Sequence, residues 1–151
     1  MADHTESIET DATPEEAYVL VAAVDRVPDH SPECRRIEWI SDDRQPRVGA
    51  RFRGQNRWRG FRWWREVHIV TTERGRAFAF RTVPGRGIYN DSTAWRYDFE
   101  LTAAGVRVTE GYDFTAPAWI RRMDRVLGRP KALANGMRAT LAALKETAEA
   151  P

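Results

Sequence analysis

Apolar and polar positions alternate along much of the chain between Gly49 and Phe114. Trp95, Tyr97, Phe99 and Leu101 share one parity, with Arg96, Asp98 and Glu100 on the other. Val106, Val108, Glu110, Tyr112 and Phe114 repeat the pattern, with Arg107, Thr109 and Asp113 opposite, and Phe78 and Phe80 share a face. A β-strand sends successive side chains to opposite faces, so each stretch predicts a strand with one buried and one wet face. The pattern predicts strands over 49–58, 62–73, 76–83, 92–101 and 105–114. Their connections carry turn residues: Arg59-Gly60, Arg74-Gly75, Pro84-Gly85-Arg86-Gly87 and Ala104-Gly105,. Residues 35–41 predict a further strand, and the polar run 4–10 is compatible with an edge strand.

Between these two lies a helix start. Thr13 can cap, Pro14 suits the first helical position, and Glu16 completes a capping box,. Ala17, Leu20, Val21 and Val24 then fall at helical spacing,. The proline-containing stretch 25–33 predicts a loop with a short helical turn. A long helical segment closes the chain from about Ala116 to Ala148. Its first apolar stripe is Trp119, Met123, Val126 and Leu127, and its second is Leu133, Met137, Leu141 and Leu144. Gly128-Arg129-Pro130 should break or kink it,.

An antiparallel sheet must cover its apolar face, and only the C-terminal helix is long enough to lie across it. The expectation is an α+β fold: one domain over 1–151, with a strongly curved antiparallel sheet of about seven strands around the C-terminal helix. One or two short helices would lie between strands 1 and 2. A curved sheet gripping one helix leaves a concave, mostly apolar space, the usual form of a small-molecule site.

The segment Arg51 to Arg65 offers two opposed readings. Arg51, Arg53, Arg57 and Arg59 fall on one parity, and Phe52, Gly54, Asn56 and Trp58 on the other. Arginines with aromatics can grip single-stranded nucleic acid, but here parity separates them, so nucleic acid is not the expected partner. The arginines read as the wet back of the sheet, and the alternate residues as the lining of the ligand space. The hairpin after Trp58 interrupts this parity, leaving Arg65 as the arginine of the strip able to point inward.

Composition narrows the classes. A chain of 151 residues with formal charge +2 can bury a core and gives little sign of a polyanion partner,. Of 24 basic residues, only Lys131 and Lys145 are lysine, a bias that codon usage in a GC-rich bacterial genome would produce. No run suggests a membrane span, and the acidic N-terminus has no signal pattern, so a cytoplasmic protein is expected,. Cys34 is the only cysteine and reads as a packed thiol, although Arg35 and Arg36 beside it could lower its pKa,. No two of His4, His30 and His68 have ligand spacing, so neither metal nor cofactor is expected,. Monomer and homodimer both fit.

The candidate ligand-binding residues are Asn56, Trp58, Trp63, Phe80, Trp95, Tyr97, Glu110, Tyr112, Trp119 and Met123. A buried amide at Asn56 needs partners, and Gly54 beside it would leave room for a ligand. Glu110 in an apolar cavity would have a raised pKa, as general acids do, whereas pairing with an arginine such as Arg65 would lower it. Trp63 and Trp64 cannot both face inward on a regular strand.

Several local motifs resemble the START/polyketide-cyclase-like superfamily, SRPBCC, with its helix-grip fold. They are Thr13-Pro14-Glu15, Ser31-Pro32-Glu33-Cys34, Gly49-Ala50-Arg51-Phe52-Arg53-Gly54-Gln55-Asn56, Phe78-Ala79-Phe80, Trp95-Arg96-Tyr97-Asp98-Phe99 and Val108-Thr109-Glu110. Within it the chain is similar to the bacterial polyketide cyclase/dehydrase and lipid-transport group. The resemblance implies a deep cavity under the C-terminal helix for a hydrophobic or aromatic, lipid- or polyketide-like ligand. Two alternatives stay open. One is a cyclase/dehydratase-type enzyme with Glu110 as general acid/base. The other is an interaction protein that uses the arginine face against a protein or RNA.

Overall fold

A computed structural model describes residues 2–151. The strands are β1 (His4–Thr10), β2 (Cys34–Trp39), β3 (Arg51–Trp58), β4 (Phe61–Glu73), β5 (Ala77–Thr82), β6 (Ser92–Thr102) and β7 (Gly105–Thr115). They form one antiparallel sheet in the order β1-β7-β6-β5-β4-β3-β2, so β1 closes back beside β7 and both first strands lie at edges. The helices are α1 (Pro14–Ala22), α2 (Val27–His30), α3 (Ala118–Leu127) and α4 (Arg129–Glu149), with short 3-10 turns at Val24–Arg26 and Gly87–Tyr89. This is the sheet with a long C-terminal helix that the alternation predicts and the helix-grip fold that the resemblance implies, with its short helices between β1 and β2.

Local chemistry sets the boundaries. The Thr13 side chain accepts from the Glu16 backbone N–H at 3.1 Å, and the Thr13 N–H donates to the Glu16 carboxylate at 3.0 Å, completing the capping box. At the β6–β7 turn, Gly105 has φ +150°, and an added Cβ would stand 2.2 Å from the Thr10 carbonyl oxygen. Only glycine lets β1 end against the start of β7 there.

The core lies between the inner sheet face and α1 with α4. Tyr18 of α1 meets Phe78 and Phe99 edge-on at centroid distances of 6.0 and 5.7 Å. Ile69, Phe78, Val106 and Leu141 are fully buried beside it. The second apolar stripe of the C-terminal segment packs as expected, with Met137, Leu141 and Leu144 buried.

The first stripe does not. Gly128 adopts φ +76°, ends α3 and re-aims the chain, so the two stripes are not continuous on one helix. The buried residue of α3 is Ile120, whereas Trp119 and Met123 are 43% and 42% exposed and Val126 is 81% exposed. Trp119 and Met123 therefore lie on the open side of α3 rather than inside the expected ligand space. Ile120 packs inward, and once the Gly128 turn separates α3 from α4 the rest of the stripe is left on the open side.

Urea denaturation should rank two substitutions at these boundaries. Thr13→Ala is expected to cost about 1 kcal/mol through the lost cap. Gly105→Ala is expected to cost more, because the added methyl meets backbone rather than a movable side chain.

Candidate functional site

Burial is graded along the inner face. The half under α1 is sealed, but toward the β3–β4 hairpin and the far ends of β6 and β7 the inward residues Asn56, Trp58, Trp63, Arg65, Phe80 and Trp95 are half-buried. Parity divides the tryptophan pair as strand geometry demands. Trp63 faces inward opposite Asn56, and Trp64 turns outward, where the Arg53 guanidinium stacks on it at 4.7 Å. Arg51 and Arg53 are exposed and ion-paired to Glu66 and Glu38, so this part of the arginine strip is the wet back of the sheet.

Arg129 organises the open half. As the first residue of α4, it places its guanidinium over Trp58 at 4.8 Å and over Trp63 at 5.7 Å. It also forks onto Glu33, Nη1 donating to Oε2 at 2.8 Å and Nη2 to Oε1. Arg65 makes a second tie. Its Nη2 donates to the Asp91 carbonyl at 2.5 Å and to Oδ2 at 3.2 Å, holding the 85–91 loop against β4. Arg65 thus points to the rim of the open half and pairs with Asp91, not with Glu110. Asp124 of α3 lies close by, its carboxyl held above the usual range chiefly by burial.

Glu110 sits at the border of the sealed half and is 4% exposed. The Tyr97 hydroxyl opposite it donates to Oε1 at 2.8 Å, and Oε2 is buried without a hydrogen-bond partner. Burial pushes its pKa up to about 8, against a smaller lowering by the Tyr97 hydrogen bond. Glu6 faces it across the β1–β7 pairing. The Glu6 carboxyl shifts the other way, lowered first by its hydrogen bond to His4 at 2.9 Å and further by Arg138 at 2.8 Å. Two facing carboxyls with opposed shifts can hold one proton in a defined place.

The predicted residues therefore divide. Asn56, Trp58, Trp63 and Trp95 line the open half, and the buried Tyr112 ring stands 5.3 Å from that of Trp95. Phe80 backs them against Phe52 and Phe78, while Tyr97 is buried beside Glu110. Trp119 and Met123 lie outside. Gly54 leaves no space for a ligand, since Ile37 and Cys34 would meet an added Cβ at 3.4 and 3.7 Å. Cys34 is a packed thiol whose pKa burial raises to about 11, against a smaller lowering by its hydrogen bond to the Arg36 carbonyl, while the Arg35 and Arg36 side chains point to solvent.

The expected deep cavity under α4 is also different. An enclosed gap between β1, α1 and α4, lined by Ile8, Ala17, Leu20, Val108 and Leu144, holds only about 10 Å³. Where an apolar ligand was expected, the Arg129 side chain stacks on the tryptophans. A concavity of about 400 Å³ lies on the outer face, among Thr5, Val70, Ala79, Ala94 and Gly111. Phe80, Trp95 and Tyr112 border it from strands whose parity turns their rings to the other side. It contains no buried polar group comparable to Glu110 or Arg129. Among the described residues, no cluster of three or more His, Cys, Asp or Glu side chains is placed to hold a metal.

Sequence reasoning missed Arg129, Glu33, Asp91 and Glu6. The only signal for Arg129 was its place between Gly128 and Pro130, which reads as a helix break and says nothing of where the side chain lands.

The sheet order and the helix it grips define an SRPBCC protein of helix-grip fold. More narrowly, the chain belongs to the polyketide cyclase/dehydrase and lipid transport family, whose model matches residues 1–149. Among solved structures, it resembles the di-domain aromatase/cyclase BexL of the BE-7585A biosynthetic pathway, with TM-score 0.75 and 19% identity. That match covers 98% of this chain but 50% of BexL, so the chain spans half the length of that relative. The polyketide-cyclase-like protein Cgl2372 of Corynebacterium glutamicum matches at 26% identity and TM-score 0.63, over 95% of this chain and 89% of that one. Major latex-like protein 151 of Panax ginseng matches at 11% identity and TM-score 0.74, over 97% of both chains. No curated protein matches the sequence. No helix is long and apolar enough to cross a membrane among the described residues.

Glu110 should impose a pH dependence on stability. Its folded pKa lies above the unfolded value, so the folded state holds the extra proton between roughly pH 4.5 and 8,. Stability should therefore fall as pH rises through that window, by about 2 kcal/mol between pH 6 and 8. Glu110→Gln should flatten this slope in urea titrations at each pH, and an unchanged slope would assign it to other groups.

Proposed function

We propose that this protein binds a small hydrophobic or aromatic molecule, lipid- or polyketide-like, against the open half of its inner face. The observation that carries the reading is the graded burial. Trp58, Trp63 and Trp95 are left half-buried where the sealed half buries its side chains, and the polar groups among them are few: Asn56, Arg65 and Arg129. Such a wall with a few fixed polar groups matches the chemistry of small-ligand sites. The Arg129 guanidinium is flat and stacks on both tryptophans, so a planar ligand would take its place or stack beside it,. Asn56 and Arg129 would then offer hydrogen bonds to its polar end. The family description and the aromatase/cyclase neighbours support this ligand class.

Tryptophan quenching by a panel of planar polycyclic aromatics and fatty acids tests the proposal. Trp63→Ala should weaken binding about tenfold, in line with the loss of one ring contact. Trp64→Ala, which faces outward, should leave affinity unchanged. A panel without any quenching or thermal shift, or equal effects of both substitutions, would reject the site.

A second reading, an acid-assisted cyclisation or dehydration, is favoured by one feature: the buried and unpartnered Oε2 of Glu110. A carboxyl still protonated near neutral pH can give its proton to a developing oxyanion or leaving hydroxyl,. Glu6, held ionised by His4 and Arg138, would keep that proton on Glu110. On a substrate found by the binding panel, Glu110→Gln should lower kcat at least a hundredfold with little change in KM. Retained turnover would leave Glu110 a structural role.

A further inference from the structure

One end of the molecule combines two features. The first is apolar exposure. Trp119, Met123, Val126 and Leu127 form a stripe along the open side of α3, and Ile88 and Tyr89 of the neighbouring loop are exposed beside it. Tyr89 meets Trp119 edge-on at 5.7 Å, so stripe and loop make one patch rather than scattered residues,.

The second feature is uncompensated positive charge. On the sheet's outer face Arg51, Arg53, Arg96 and Arg107 each have a carboxylate partner. At the patch, Arg122 and Arg125 of α3 and Arg86 of the loop form no ion pair among the described residues. Neither do Arg57, Arg59 and Arg62 at the β3–β4 hairpin tip, which the Arg129–Trp58 stack ties to the start of α4. The acids nearest this end are otherwise engaged: Asp91 pairs with Arg65, Glu33 pairs with Arg129, and Asp124 is half-buried. Arg121 anchors the helix by donating to the Phe114 carbonyl.

We propose that this end docks on an anionic phospholipid surface, with α3 lying in the headgroup plane. A helix with Trp and Leu on one side and arginine on the other is the interfacial type. Its apolar stripe would enter the acyl boundary while Arg86, Arg122, Arg125 and the hairpin arginines meet lipid phosphates. A bilayer accepts a convex stripe without a matching groove, which a protein partner would have to supply. The docked orientation would bring the rim set by Arg65, Asp91 and Arg129 to the lipid surface. The proposal stands on the patch alone and does not depend on what the inner face binds.

The test is co-sedimentation with vesicles of phosphatidylglycerol and phosphatidylcholine in equal amounts, beside vesicles of phosphatidylcholine only. Wild-type protein should pellet with the mixed vesicles, not with the neutral ones, and should be released by salt. Removing Arg122 or Arg125 by substitution to Ser should weaken binding about fivefold each. Val126→Asp should weaken it ~tenfold or more. Val126 is 81% exposed, so its melting temperature should match wild type. No pelleting with the anionic vesicles, or pelleting indifferent to Val126→Asp, would overturn the proposal. So would a dimer in ultracentrifugation that Val126→Asp dissolves, since a second copy would then cover the patch. A lowered melting temperature for that variant would overturn it too, by showing that the stripe packs inward.

Discussion

Three pieces of chain meet at the Arg129 guanidinium: the start of α4, the segment before β2 through Glu33, and the β3–β4 hairpin through Trp58 and Trp63. A cation this enclosed needs a partner, and the two-pronged bond to Glu33 provides one while the rings provide weaker attraction on the flat faces. The left-handed turn at Gly128 places Arg129 there. The same turn separates α3 from α4, which leaves the α3 stripe outside. The shape of the open half, the position of its rim and the exposure of α3 all follow from that one junction.

Glu110 depends on a different constraint. The sheet pairs it with Tyr97 on one side and Glu6 on the other, and α4 brings Arg138 to Glu6. Burial alone would raise both carboxyls. The charge partners of Glu6 separate the two, so that one is stabilised as an anion and the other as an acid. A solvent-exposed copy of the same residues would lose this asymmetry to screening.

Much of this was legible along the chain because strands and capped helices announce themselves in local chemistry. Period-two alternation gave the strands to within a few residues, and the Thr13–Glu16 box gave the start of α1. Parity alone assigned Arg51 and Arg53 to the wet face, and Phe52 and Trp58 to the inner one. Parity could not say whether Trp63 or Trp64 faces inward, because the count restarts after the Arg59-Gly60 turn.

What the sequence by itself determined is the set of elements, the two faces of strands such as β3, β6 and β7, and the inward parity of Glu110, all properties of neighbours within a few positions. What only the tertiary structure decided is which groups meet across distance: Arg129 with Trp58 and Glu33, Arg65 with Asp91, Glu6 with Glu110. The facing of α3 was also decided there, since helical periodicity marks a stripe but not the direction in which a glycine turn will aim it. The physical reason is the same in each case. Local pattern encodes how much of a side chain should be buried, whereas its partner is set by sheet order and helix placement, which bring together residues far apart along the chain.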